Sequence, residues 1–114
     1  MKNENEEVTY KKLSLERDKS VGFYASVDGV ELVMMPREYQ VLEILARNAD
    51  KIVRFTEIID EIYKDEEHTC GVRVINVFIC NIRKAIRVLG GDPCCILNYH
   101  GLGYRLIKND IVWV

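Results

Sequence analysis

Arg73, Asn76, Val77, Cys80, Asn81, Lys84 and Val88 recur at intervals that gather them on one side of a helix. Their chemistry is that of a surface able to read base edges. An arginine can take guanine O6 and N7, an asparagine can pair with adenine, and a small apolar side chain can touch a thymine methyl. Arg83 and Arg87 fall on one flank of the same helix, where they can reach phosphates rather than bases. Further along, His100-Gly101-Leu102-Gly103-Tyr104-Arg105 forms a short glycine hairpin with a titratable and a cationic side chain. A fully solvated helix rarely leaves Val77, Cys80 and Val88 facing outward, so this outer face is expected to meet something. That something is a DNA groove or, on geometry alone, another part of the same protein or a partner.

Catalytic and metal chemistry find less support. His68 and His100, the chain's two histidines, lie in no catalytic signature. His68, Cys70, Cys94 and Cys95 can be imagined around zinc, but their spacings match no closed tetrahedral motif, and adjacent cysteines ligate one ion awkwardly. The expectation is no enzyme, no metal and no cofactor, with the four cysteines as free thiols of a reducing compartment.

The elements that must position these residues follow from periodicity. Val72, Ile75, Ile79, Ile82, Ile86 and Leu89 are spaced alternately by three and four, which predicts one buried stripe on a helix over 72–89. Pro36 reads as the first turn of an earlier helix that runs to about Asn48 and buries Tyr39, Leu42, Leu45 and Ala46. Another starts near Phe55, with Phe55, Ile58, Ile59, Ile62 and Tyr63 on one stripe. Ahead of them, Tyr10 to Glu16 alternates with Leu13 and Leu15 on one side. Val21–Val27 and Val30–Met34 flank Asp28-Gly29, a strong two-residue hairpin signal. Gly90-Gly91-Asp92-Pro93 breaks the third helix before the final hairpin. The order is β, then α, then β.

The bounds are those of one modest domain. The chain has 114 residues, 48% hydrophobic and 30% charged, with a net charge of −2. No apolar run approaches the roughly 20 residues of a membrane span, and the polar start predicts no signal peptide, hence a cytoplasmic location with no membrane partner. Residues 71–114 carry six basic against two acidic side chains, for +4, while 21–50 and 51–70 each stand at −3. Phosphate backbones favour such local positive charge through counterion release, although an ordinary surface can also be charged unevenly.

At this point the sequence resembles a known family. From Leu13 to Ile107 it is similar to the effector domain of OmpR/PhoB-type response regulators. Asp28-Gly29 through Met34-Met35-Pro36-Arg37-Glu38-Tyr39 looks like the family's run from third strand into first helix. Val77-Phe78-Ile79-Cys80-Asn81-Ile82-Arg83-Lys84 looks like its recognition helix, and Gly101-Leu102-Gly103-Tyr104-Arg105-Leu106 like its wing. Glu38-Tyr39-Gln40 and Val77–Cys80 look most like an alphaproteobacterial cell-cycle regulator within that family. The resemblance implies an α+β fold: a winged helix-turn-helix with an N-terminal antiparallel sheet, three helices and a C-terminal β-hairpin wing. It places a polar tail at 1–9, the winged-helix domain at 10–108 and a C-terminal tail at 109–114. Ile111-Val112-Trp113-Val114 in that tail is apolar, and serves either as a strand of its own domain or as a partner surface.

The implied function is sequence-specific binding of double-stranded DNA by a transcription regulator, as a dimer on repeated sites. Helix 72–89 would enter the major groove and wing 94–107 the minor groove or backbone. The residues concerned are Arg73, Asn76, Val77, Cys80, Asn81, Arg83, Lys84, Arg87, His100 and Arg105. By the same resemblance the 64–70 loop, with Asp65-Glu66-Glu67, touches RNA polymerase; otherwise it is a solvated loop. The sequence also departs from its relatives. Asn76 stands where Asp is usual, Asn81 where Arg or Lys is frequent, Ala85 where Lys is common, and His100 where the wing usually has arginine. Met35 and Arg54 sit where Thr or Ser usually caps a helix, a loss of about 1 kcal/mol each unless something substitutes. Beside a phosphate, His100 would be favoured in its protonated form, tightening binding as pH falls through the range near about 6.5. The thinned cationic face keeps open an alternative: a winged-helix interaction module, pairing with a related regulator or RNA polymerase, with weakened or lost DNA binding. No receiver domain precedes this region in the sequence, which is read either as a stand-alone effector or as an excised effector domain.

Overall fold

The computed structural model describes residues 10–18, 22–64 and 71–113. Strands β1 (Leu13–Asp18), β2 (Gly22–Val27) and β3 (Val30–Glu31) open the chain. Asp28 and Gly29 both adopt positive φ, 53° and 79°, as a tight Asp-Gly hairpin requires. β3 ends at Glu31, short of the expected Met34, and Leu32 instead donates its N–H to Ala25 before the chain turns into α1. Leu13 and Leu15, expected on one side of β1, are both buried.

Helix α1 (Pro36–Arg47) begins at Pro36 as expected. Its buried face holds Leu42, Leu45 and Ala46 together with Val41 and Ile44. Tyr39 is only half-buried, because its phenol must reach the Leu32 carbonyl at 2.6 Å. Burial, followed by the charge of Glu31, pushes that phenol up to about 12. Helix α2 (Phe55–Ile62) buries Phe55, Ile58 and Ile62, while Ile59 and Tyr63 are half-buried at its margin.

Both unusual caps are compensated from elsewhere. The Met35 side chain gives no cap oxygen, and the Glu38 carboxylate accepts the Met35 N–H at 2.8 Å. Arg54 likewise gives none, yet the first amide of α2, from Phe55, donates to the Leu102 carbonyl in the distant hairpin turn at 3.1 Å.

Helix α3 runs Val72–Val88, one residue short of the expected Leu89. Ile75, Ile79, Ile82 and Ile86 are fully buried, and the predicted stripe frays at its ends: Val72 is 40% exposed and Leu89 half-buried. After a 3-10 turn at Pro93–Cys95 come β5 (Ile96–Tyr99) and β6 (Gly103–Leu106), the expected wing hairpin. A two-residue strand absent from the sequence reading, β4 (Val53–Arg54), pairs with β6, so the wing is a three-stranded sheet in the order β4-β6-β5. Gly103 permits that pairing: a Cβ there would sit 2.0 Å from the Val53 carbonyl oxygen.

The remaining strand corrects the expected boundary. β7 (Ile111–Trp113) pairs in parallel with β1, placing Leu13 opposite Ile111, and the larger sheet is ordered β3-β2-β1-β7. Residues 111–113 thus belong to the domain's sheet rather than to a free tail, because they satisfy the outer edge of β1 and bury Ile111. The sheet is also not wholly N-terminal or wholly antiparallel, since its fourth strand arrives from the other end of the chain. Segments 1–9 and 65–70 lie outside the described residues.

A candidate nucleic-acid interface on the third helix and wing

At about 100° per residue, α3 divides into a buried stripe, two flanks and an outer ridge. The flank towards α1 carries Asn81, whose amide N–H donates to Glu38 Oε2 at 2.8 Å. Glu38 is 6% exposed, and its other oxygen holds the Met35 N–H, so one carboxylate ties the start of α1 to the middle of α3. Reading adenine with Asn81 would have to share that amide with Glu38. Sequence reasoning missed Glu38 as a structural residue. Its signal was present in the capping-box spacing from Met35, three residues earlier, although the cap residue itself is unorthodox.

The flank towards the wing carries Asn76 and Arg83. Arg83 is half-buried and donates to the Ile96 carbonyl at 2.7 Å, fastening α3 to the start of β5. The hydroxyl of Tyr104, a β6 residue buried against Phe55, donates to Asn76 Oδ1. The two rings meet edge to face, 5.5 Å apart at 79°. Burial raises the Tyr104 phenol above its ordinary value, while the nearby Arg83 charge opposes that rise.

On the outer ridge, Arg73, Val77, Cys80, Lys84, Arg87 and Val88 are exposed, Val88 by 82%. Among the described residues, Arg73, Lys84 and Arg87 have no side-chain hydrogen bond or ion pair. His100 is exposed at the wing tip, beside Gly101, whose φ of 75° makes the turn. Arg105 is drawn inward: it donates to the Tyr99 hydroxyl at 2.8 Å and lies 3.9 Å from Asp50. Asp50 in turn accepts the Lys108 N–H at 2.8 Å.

Two clefts of about 300 Å³ each separate α3 from the wing. Phe55, Val72, Asn76, Asn98, His100 and Gly101 line one; Arg83, Arg87, Cys94, Leu97 and Asn98 are among those lining the other. A smaller apolar groove of about 170 Å³ lies beyond the end of α3, walled by Val30, Val33, Ala85, Val88 and Leu89.

Of the imagined zinc ligands, His68 and Cys70 lie outside the described residues. Cys94 is exposed and Cys95 buried, so the adjacent pair faces two different surroundings. Burial, then the charges of Asp92 and Asp110, push the Cys95 thiol up to about 12. Among the described residues no group of three or more His, Cys, Asp or Glu side chains is placed to hold a metal ion. No helix of the described residues is long and apolar enough to cross a membrane.

Known proteins share this fold. The family described as "Transcriptional regulatory protein, C terminal" matches residues 29–106. The transcriptional regulatory protein KdpE of Mycobacterium tuberculosis is 32% identical over 78 residues, which are 68% of this chain and 34% of that protein. The chain therefore spans about a third of the length of such curated relatives. Among solved structures, the Thermotoga maritima response regulator DrrB, an OmpR/PhoB homologue, superposes with a TM-score of 0.63 at 28% identity, over 75% of this chain and 38% of that one. The DNA-binding domain of Klebsiella pneumoniae RstA, solved in complex with the RstA box, gives 0.64 at 17% identity, over 88% and 95% of the two chains.

Proposed function

Since the chain belongs to the family of C-terminal domains of transcriptional regulatory proteins, of OmpR/PhoB type, we propose that it binds double-stranded DNA sequence-specifically and regulates transcription. The ridge of α3 lies in the major groove in this reading, and the β5–β6 wing reaches the minor groove or backbone. The observation that carries it is the outer ridge itself. Arg73, Lys84 and Arg87 are exposed without a protein partner among the described residues, and they alternate with Val77 and Cys80, side chains a solvated helix has no reason to present. The RstA domain, of the same fold, was solved in complex with its RstA box, which supports DNA binding as a use of this fold.

Within this reading the side-chain partners suggest a division of roles. Arg73, Asn76, Val77, Cys80 and Lys84 form the base-facing set, with Arg87 and the exposed His100 at phosphates. Asn81, Arg83 and Arg105 act chiefly by holding α3 and the wing in register, since each already donates to a protein acceptor. Few free cations remain, so the affinity of one domain is modest and a dimer on repeated half-sites supplies the rest. The binding unit spans residues 10–113 and works in the cytoplasm, with segment 64–70 as the proposed contact for RNA polymerase.

Anisotropy titrations against selected and random duplexes at low salt test this reading. Preference for selected duplex is expected, and the double variant Arg73→Glu/Lys84→Glu should abolish it while the far-UV spectrum stays unchanged. Equal binding of random duplex, or binding untouched by the double variant, would sink it. The apolar groove at Val30, Val33 and Val88 favours a second reading, a protein-interaction module on the same fold. Under that reading the double variant spares partner binding, and Val88→Asp removes it.

A further inference from the structure

The asparagine at position 76 carries more information than its residue type. Its side chain is exposed on the wing flank of α3 and lines the cleft shared with Asn98 and His100. Its carbonyl oxygen, however, is turned inward, where it accepts the hydroxyl of buried Tyr104. The orientation of that amide is dictated by its partner. Turning it over would make the Tyr104 oxygen accept an amide N–H and leave the hydroxyl proton without the acceptor it now has. The nearby Arg83 guanidinium also offers only donors, so it cannot take that proton instead. Asparagine therefore presents only its NH₂ end to a ligand in the cleft or groove.

This matters because asparagine reads adenine with both ends of its amide, the oxygen taking N6–H and the nitrogen giving to N7. With the oxygen turned inward to Tyr104, that bidentate pair has to compete with the buried hydrogen bond. Guanine then offers two acceptors, O6 and N7, and thymine offers O4, whereas adenine keeps N7 alone beside an N6–H donor that opposes the amide. Resting on the DNA-binding reading above, we infer that Tyr104 is a specificity-positioning residue: by holding the Asn76 oxygen it makes Asn76 a donor that favours guanine or thymine over adenine. Tyr104 touches no base. Removing its hydroxyl frees the amide to rotate and to present both ends.

Selection of bound duplexes from a random pool, run on the wild type and on Asn76→Ala, Tyr104→Phe and Tyr104→Ala, tests this. The base position whose preference disappears in Asn76→Ala marks the contact. Wild type should prefer guanine or thymine there by roughly tenfold over adenine, the scale of one good hydrogen bond. Tyr104→Phe keeps the ring against Phe55 and should gain adenine at that one position while every other position holds. Tyr104→Ala controls for packing and should lower affinity across all sequences. Three results would overturn the inference: adenine preferred there by the wild type, a Tyr104→Phe profile identical to wild type, or an Asn76→Ala loss equal at every sequence, as a phosphate contact gives. A wild type that selects nothing at all would instead overturn the DNA-binding reading on which this rests.

Discussion

Two faces of one helix, less than a turn apart, have opposite fates. The flanks of α3 are committed to the protein: Asn81 to Glu38, Arg83 to the Ile96 carbonyl, and Asn76 to Tyr104. On the ridge between them, Arg73, Val77, Cys80 and Lys84 stand exposed, and among the described residues none of these four makes a side-chain hydrogen bond or ion pair. The difference teaches that a polar residue on an outward-facing helix is no guide to its employment. A buried acceptor or donor nearby captures its complement, because leaving that buried group unpaired costs more than exposing the flank residue returns. Residues with nothing buried to satisfy stay available to a ligand.

Several substitutions can break that contrast. The largest effect belongs to the stripe beneath both faces: Ile79→Ala, at a fully buried position, should lose about 2–5 kcal/mol in urea denaturation. An unchanged midpoint would mean the α3 core is packed differently. Next is the flank. Glu38→Ala leaves the Met35 amide and the Asn81 side chain without their acceptor, and should cost about 1–3 kcal/mol together with a loss of DNA affinity. Stability held while affinity alone fell would move Glu38 from the flank's architecture to the ridge's chemistry.

On the ridge, Lys84→Ala should alter stability by no more than about 0.5 kcal/mol. The same variant should reduce the slope of log affinity against log salt by about one. A slope equal to wild type would remove Lys84 from the phosphate or base contacts. The smallest effects are chemical. Cys80 and Cys94 should react with a maleimide in the native protein, whereas Cys95 should react only on unfolding, and bound duplex should protect Cys80. Free access to Cys80 in the complex would place the ridge outside the groove.

Burial of Cys95 also predicts an alkaline limit. Its thiol is pushed from 9.0 up to about 12, so the folded protein holds the neutral form that the unfolded chain gives up earlier. The stabilisation from that difference is complete below about pH 9 and is lost as pH rises towards 12. Thermal melts between pH 8 and 11 should decline less steeply in Cys95→Ala than in wild type, after allowing for the variant's lower starting point. Equal slopes would mean other groups carry the alkaline loss.

Much of the fold was legible because it is written in local periodicity. The isoleucines of α3, the Asp-Gly hairpin and Pro36 at the head of α1 each announce themselves within a few residues. What escaped depends on partners far along the chain. β4 is two residues long and is a strand only because β6 lies beside it, and β7 is one only because β1 offers an edge some hundred residues earlier. The candidate site divides in the same way. Helical spacing alone gathered the ridge of Arg73, Val77, Cys80 and Lys84. That Asn81 and Arg83 face inward contacts, and that Arg105 turns back to Tyr99, required knowing which buried acceptors stand opposite.

The sequence by itself therefore determined the family, the three helices and the outward set on α3, since those rest on patterns repeated every three or four residues and on motifs kept in order. Only the tertiary structure decided which members of that set remain free and which way the Asn76 amide points. Those outcomes turn on hydrogen bonds of about 3 Å between residues up to 43 positions apart, and no local spacing encodes the far partner.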